Sequence, residues 1–196
     1  MAVPAEMPVL NTTGKYIMSK RLSDDTDELL RLQGVGWLKR RIIKMGTLYL
    51  TVRHFTDDAG VEHINILQSL SGLSDTDENR ELDWVARSHE DDTFGKVTSK
   101  SRRVRVDHVQ NDWLRIGWTP DTEEHGLVFT RAESKQEDNG VNWVADQTWG
   151  FEMINGERRY VRHVFFQGPN GEKINLRLIY DYREFDSLPA QRQRWD

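Results

Sequence analysis

The chain has 196 residues and no cysteine, and its 27 Lys and Arg against 32 Asp and Glu leave a net charge of -5. That length suits one domain with its own core; the interspersed signs exclude the concentrated basic face that nucleic acid requires, and the missing cysteines exclude disulfides, thiolate metal sites and Cys nucleophiles. No apolar run approaches the roughly 20 residues of a membrane span and the first 20 residues hold no signal-peptide core, so a soluble, cytoplasmic protein is expected.

Residues 1–13 contain Pro4 and Pro8 and no hydrophobic period, and read as an N-terminal arm. A single domain over 14–185 follows, then a tail over 186–196 that either closes one end of the fold or hangs free. Within the domain most of the chain alternates. The spacing predicts strands at 14–20, 47–56, 61–70, 80–89, 102–109, 112–119, 125–133, 142–153, 158–166 and 173–182. Asp57-Asp58-Ala59-Gly60, Asn155-Gly156 and Pro169-Asn170-Gly171 supply hairpin turns. Ten strands in meander order favour an antiparallel up-and-down barrel, or clam, over a sandwich. The polar stretches "SDTDENRE" (74–81) and "ESKQEDNG" (133–140) read as solvated loops.

One helical pair interrupts this pattern between the first and second strands. Ser23-Asp24-Asp25-Thr26 offers capping oxygens and negative charge to a first helix whose apolar side is Leu29, Leu30 and Leu32; Gly34 ends it. The second helix is expected to turn Trp37, Leu38 and Ile42 inward and Lys39, Arg40, Arg41 and Lys44 toward solvent. Such a pair is either a lid over an open barrel end or a cap that completes the core.

Gly14-Lys15-Tyr16 followed by Met18, then Asp27-Glu28-Leu29-Leu30, then Gly34-Val35-Gly36-Trp37 and Arg40, resembles the amino-terminal signature of the intracellular lipid-binding proteins, the fatty-acid- and retinoid-binding β-clams of the calycin superfamily. The interval from Asp27 to the Gly-Val-Gly turn matches that family, whereas the one from Met18 to Asp27 is two residues longer. "DDTFGKVTSKSRRV" (91–104), "WGFEMINGE" and "IYDY" extend the similarity along an enlarged chain. The resemblance implies a ten-stranded clam with a helix-turn-helix portal, to which Leu29, Leu32, Trp37 and Leu38 belong, around a cavity for a hydrophobic small molecule.

Fatty-acid-binding members of that family hold the carboxylate with an Arg-x-Tyr pair on the last strand and a second Arg two strands earlier. Aligned on these, Tyr180 keeps the tyrosine, but Leu178 and Phe151 replace the two arginines. Alternation points Leu176, Leu178 and Tyr180 inward and Asn175, Arg177 and Asp181 to water, and puts Trp149 and Met153 on the face of Phe151. A buried carboxylate without a cation costs several kcal/mol, so the expected ligand is neutral or weakly polar. Tyr180 then either donates a hydrogen bond to it or serves as a core tyrosine.

The strand over 158–166 leaves two assignments open. If Arg158, Tyr160 and Arg162 face inward, Arg162 and Tyr160 rebuild an anion site; the plainer assignment puts the arginines in solvent and Val161 and Phe165 in the barrel, with His163 a satisfied barrel histidine. Trp84, Trp113, Trp118, Trp143 and Trp149 all fall on predicted strands, as cavity lining or as filling. His54 and His63 flank the first hairpin without a third ligand, so neither metal nor cofactor is expected.

Three functions fit these residues. The first is a carrier for a hydrophobic, neutral or weakly polar molecule, with Lys39, Arg40, Arg41 and Lys44 touching an anionic membrane surface during delivery. The second is a cofactor-independent cyclase or isomerase acting on a hydrophobic intermediate, with Tyr180, His163, Arg162, Asp107 and His108 as candidate catalytic groups. The third is a filled barrel that serves only as an interaction module.

Overall fold

Alternating side chains and short polar turns carry the chain back and forth through a single sheet. The computed structural model describes residues 1–71, 74–91, 93–134 and 142–184. Its strands are β1 (Gly14–Met18), β2 (Leu48–Thr56), β3 (Glu62–Leu70), β4 (Ser74–Glu81), β5 (Arg87–Asp91), β6 (Gly95–Val104), β7 (Leu127–Ser134), β8 (Trp143–Ile154), β9 (Glu157–Gln167) and β10 (Lys173–Arg183). All pair antiparallel in the order β4-β3-β2-β1-β10-β9-β8-β7-β6-β5. Each strand therefore lies beside its chain neighbour, β1 joins β10, and the curled sheet stays open between β4 and β5. Asn155 and Gly156, both at positive φ, make the tight turn whose twist suits the β8–β9 hairpin.

Inward residues divide the interior into two ends. At one end Tyr16, Leu50, Ile64, Ile66, Trp149, Phe151 and Tyr160 pack against Val3 and Val9 of the N-terminal arm, which plugs the barrel. The arm is tied down: Val3 N–H donates to the Arg158 carbonyl at 2.8 Å, and the Arg158 guanidinium donates to the carbonyls of Pro4 and Met7. At the other end Val97, Trp143, Val164, Phe166 and Leu176 meet Leu32 of α1 (Asp27–Leu32), which with α2 (Trp37–Met45) forms the cap between β1 and β2. Among the described residues no helix is long and apolar enough to cross a membrane.

The strand pattern needs four corrections. Residues 112–119 are not a strand: Asn111 accepts the Trp113 N–H at 2.9 Å and starts α3 (Asp112–Arg115), and Thr119-Pro120 opens α4 (Pro120–His125). Leu114 and Trp118 pack with Leu127, Val161 and Ile179 on the outer face of the sheet, a spacing that imitates alternation over so short a stretch. Residues 80–89 are not one strand either, because Trp84 takes φ 63 and breaks the chain between β4 and β5. Residues 102–109 hold only the end of β6 and then a 3-10 turn, Val106–His108. Finally 74–81, read as a solvated loop, is β4; it carries no apolar residue because it is the polar edge of the opening. The 135–140 part of the second polar stretch and the 186–196 tail lie outside the described residues.

The cap also departs from expectation. Trp37 and Leu38 are 65% and 60% exposed, whereas Lys39, Ile42, Ile43 and Gly46, spaced i, i+3, i+4 and i+7, line the interior. Arg40 is largely covered and pairs with Asp27 at 3.2 Å, whereas Lys44 and Arg41 are exposed as expected, Lys44 pairing with Asp25 at 2.7 Å. Lys20 Nζ donates to the carbonyls of Lys44 and Met45, holding the last turn of α2. The helix is thus latched to the β1–α1 connection by charge rather than by the aromatic face predicted for it.

Candidate functional site

Between the cap and the plugged end lies a cavity of about 810 Å³, a size that takes a drug-sized molecule. Leu29 and Leu30 of α1, Ile42 and Ile43 of α2, and Leu176, Leu178 and Tyr180 of β10 contribute to its wall. Leu32, expected at the portal, is buried beneath the cap with Trp143 and Phe166. Trp149, Phe151 and Tyr160, expected to line the pocket, pack in the cluster that closes it from below. Met153 keeps their parity but stands in the next-to-last ladder pair before the Asn155–Gly156 turn, opposite Arg158, and is 54% exposed.

The inner face of β9 carries Tyr160, Arg162 and Val164, so the arginine points into the barrel and the plainer assignment of this strand is corrected. Arg162 is 6% exposed. Its guanidinium lies 3.9 Å over the Trp149 ring and 5.5 Å from that of Tyr180, which fixes its plane. Nη1 is 3.7 Å from a carboxylate oxygen of Glu78. Nε and Nη2, like the Tyr160 hydroxyl, are buried without a hydrogen bond of good geometry. Buried donors of this kind are costly and seek an acceptor.

Glu78 and Arg80 come from β4, which sequence reading had left in solvent. In the β3–β4 ladder they stand opposite Ile66 and Ile64, both buried, so both turn inward. Glu78 accepts from Arg80 Nε at 2.7 Å and from the Gln68 amide at 3.0 Å. Burial works against the ionised Glu78 carboxyl, but Arg80 and Arg162 outweigh it and hold its pKa below the usual carboxylate range. Burial raises the Tyr160 hydroxyl and pushes that of Tyr180 up to about 12, so both phenols keep their protons at neutral pH. Burial alone would lower the pKa of Arg162; Tyr160, Tyr180 and Glu78 turn the shift upward, and the guanidinium stays charged. The only hint in the sequence was the i, i+2 spacing of Glu78 and Arg80, invisible to a hydrophobic pattern.

The other candidate groups lie elsewhere. Asp107 and His108 are exposed in the 3-10 turn, Asp107 pairing with Arg105. His163 faces the outside of the sheet, not the barrel, in a cage that the α3–α4 segment builds. Its ring sits between Trp113 at 5.0 Å and Trp118 at 4.5 Å, with Nδ1 2.8 Å from the Trp113 carbonyl and Nε2 3.1 Å from Glu152. Arg177 completes the cluster by donating to Glu152 at 2.7 Å. His54 and His63 do not meet: one bonds Glu62 and the other Asp57.

A half-barrel of ten antiparallel strands with a helical cap between β1 and β2 is the β-clam of the fatty-acid-binding proteins, here enlarged and divergent. The REP1-NXSQ fatty acid transporter superimposes with a TM-score of 0.51 at 14% identity, covering 89% of this chain and 97% of that one. Fatty-acid-binding protein 1 of Echinococcus granulosus gives a TM-score of 0.52 at 14% identity, covering 87% and 96%. In sequence the chain is similar to two curated proteins along nearly its whole length. One, named probable pericyclase scpY, from Mollisia scopiformis, is 29% identical over 186 residues, 92% of this chain and 94% of that protein. The other, named pericyclase pydY, from an Acremonium species, is 25% identical over 184 residues, 93% and 97%. No family model matches the chain.

Proposed function

We propose that this protein is a cofactor-free pericyclase that folds a hydrophobic, polyunsaturated intermediate within the clam and lets it close a ring. The observation that carries this reading is Arg162, a nearly buried guanidinium beside Tyr180 in the wall of a cavity with many apolar lining residues. The two relatives named pericyclases, similar over more than nine tenths of the chain, support it.

A pericyclic step converts π bonds into σ bonds within one cyclic array; no atom enters or leaves and no proton moves. Such a step needs no acid-base pair, which agrees with His163, Asp107 and His108 lying away from the cavity. It needs confinement of a flexible chain in a reactive fold, for which well-oriented intramolecular reactions gain effective molarities of about 10⁵–10⁸ M. It also gains from a fixed donor on a carbonyl conjugated with one reacting π system, which draws electron density toward the oxygen as the new bonds form. Arg162, steadied by Trp149, is that donor, and Tyr180 stands beside it.

A polyene that tethers a diene to a carbonyl-activated alkene tests the proposal. Incubation with the protein is expected to give one stereoisomer of unchanged mass faster than buffer does, and Arg162→Gln to slow it by roughly a hundredfold, as loss of one transition-state donor does elsewhere. The fold favours a second reading, a carrier of hydrophobic molecules. A polyene that binds but cyclises at the buffer rate, with the buffer's isomer ratio, supports the carrier and overturns the enzyme.

A further inference from the structure

We propose that Gln147 is a second donor to the substrate: its amide NH2 group bonds the same carbonyl oxygen as Arg162, so the polar end of the substrate is a ketone, ester or amide conjugated with its polyene. This deepens the pericyclase reading and rests on it for the presence of that carbonyl.

Gln147 has the inward parity of Ala145 and Trp149 on β8; it pairs with Val164 of β9, two residues nearer the cap than the Trp149–Arg162 pair. It lines the cavity and is half-buried, whereas Ala145 and Trp149 on either side of it are buried. Its Oε1 accepts from Trp149 Nε1 at 3.1 Å. An indole N–H only donates, so the atom that meets it is the amide oxygen, and the NH2 group is turned away from Trp149. Among the described residues no hydrogen-bond acceptor takes that NH2 group, and it is not sealed off in the way that Arg162 Nε and Nη2 are. Arg162 likewise reaches the cavity through its remaining guanidinium nitrogen, Nη1.

One indole holds both groups, with Gln147 at its N–H edge and the Arg162 guanidinium 3.9 Å over its ring. Two donors fixed within one indole's breadth can converge on one oxygen, and a carbonyl has two lone pairs to receive them. The pair is in place before reaction and strengthens its hold as the oxygen gains charge. A hydrocarbon that covers Gln147 instead leaves a desolvated amide without a partner, which costs binding.

An all-trans conjugated polyenone with an isotope-labelled carbonyl, too rigid to cyclise, and the matching polyene hydrocarbon test the proposal, each titrated into the protein at neutral pH and read by quenching of tryptophan fluorescence. Gln147→Met is expected to weaken the polyenone about fivefold, the size of one neutral hydrogen bond, and to leave the hydrocarbon within about twofold. In the same variant the infrared stretch of the bound carbonyl is expected to rise in frequency, as it does when a carbonyl loses a donor. Should Gln147→Met fail to fold, Gln147→Glu keeps an acceptor for the Trp149 N–H but, when ionised, has no donor, and is expected to lose the polyenone at least as strongly. A variant that weakens both probes equally, or whose bound carbonyl keeps the wild-type frequency, overturns the proposal. Because neither probe reacts, a protein that gives the expected ratio and shift but cyclises no reactive polyene loses the catalytic reading alone.

Discussion

Arg162 and Glu78 show how a site arises from residues that look ordinary one at a time. Arg162 was one of three arginines on a strand with an open face assignment, and Glu78 sat in a run of eight polar residues. Position on a ladder made them a pair. The resemblance to fatty-acid-binding proteins set Leu178 and Phe151 where two anchoring arginines were expected and so suggested a neutral ligand; the interior nevertheless holds a guanidinium, on a different strand, 3.7 Å from a carboxylate. A half-satisfied buried cation is poor design for stability and good design for binding. Arg162→Met is therefore expected to leave stability unchanged or to raise it by about 1 kcal/mol, since Glu78 keeps Arg80 and Gln68 as partners. The midpoint of urea unfolding checks this; a loss of several kcal/mol would make Arg162 a structural residue.

At the scale of elements, largely buried ion pairs tie strand ends together. Glu62 at the start of β3 bonds His54 of β2 at 2.7 Å and Arg103 of β6 at 2.9 Å, while Arg103 also donates to the Gly126 carbonyl before β7. Burial opposes the Glu62 carboxylate, but Arg103 and His54 bring its pKa down from 4.5 to about 2. A carboxyl whose pKa is depressed by folding binds fewer protons in the native state than in the unfolded one. Its contribution is therefore complete above about pH 4.5 and is lost as the pH falls through about 2. On the order of 3 kcal/mol should disappear across that window, and Glu62→Gln should flatten this acid limb while lowering stability at neutral pH. Urea midpoints at a series of pH values measure both effects; parallel acid limbs in the two proteins would contradict the assignment.

At the scale of the whole molecule, the N-terminal arm and the α3–α4 segment turn a plain clam into a closed-ended vessel. The arm fills one end with Val3 and Val9, and the outer segment braces β8 and β9 from behind through the His163 cage. Val9 is 1% exposed, so Val9→Ala removes two buried methyl groups and is expected to cost about 1–2 kcal/mol, read from thermal or urea unfolding. An effect near zero would mean that the arm merely rests on the barrel. The same arm confines the cavity to the half under the cap, next to Arg162.

Most strands were legible from side-chain period and turn residues: 47–56, 61–70, 125–133, 142–153, 158–166 and 173–182 each lie within two residues of an observed strand. So was the helical pair, from its acidic first turn and Gly34, although Thr26 at the start of α1 makes no side-chain cap bond and Asp25 instead accepts the Asp27 N–H. Period alone placed Leu176, Leu178 and Tyr180 on one face, because a strand repeats every two residues wherever it lies. Period failed where both faces of a segment are polar, as in β4, or where a short helix packs on the outside, as at 112–119. It also failed at α2, where the depth and rotation of the helix over the barrel mouth, rather than its amphipathicity, decided that Ile42 and Ile43 face in and Trp37 and Leu38 face out. Sequence by itself determined most of the meander, which follows from local alternation and turn chemistry, whereas the pairing of β1 with β10 joins distant parts of the chain and belongs to the folded sheet. The site required the tertiary structure: Arg162 and Trp149 face each other across the β8–β9 hairpin, but Glu78 of β4 comes near Arg162 only when the sheet curls, and one face of β9 meets the cavity only because the other is buried under α3 and α4.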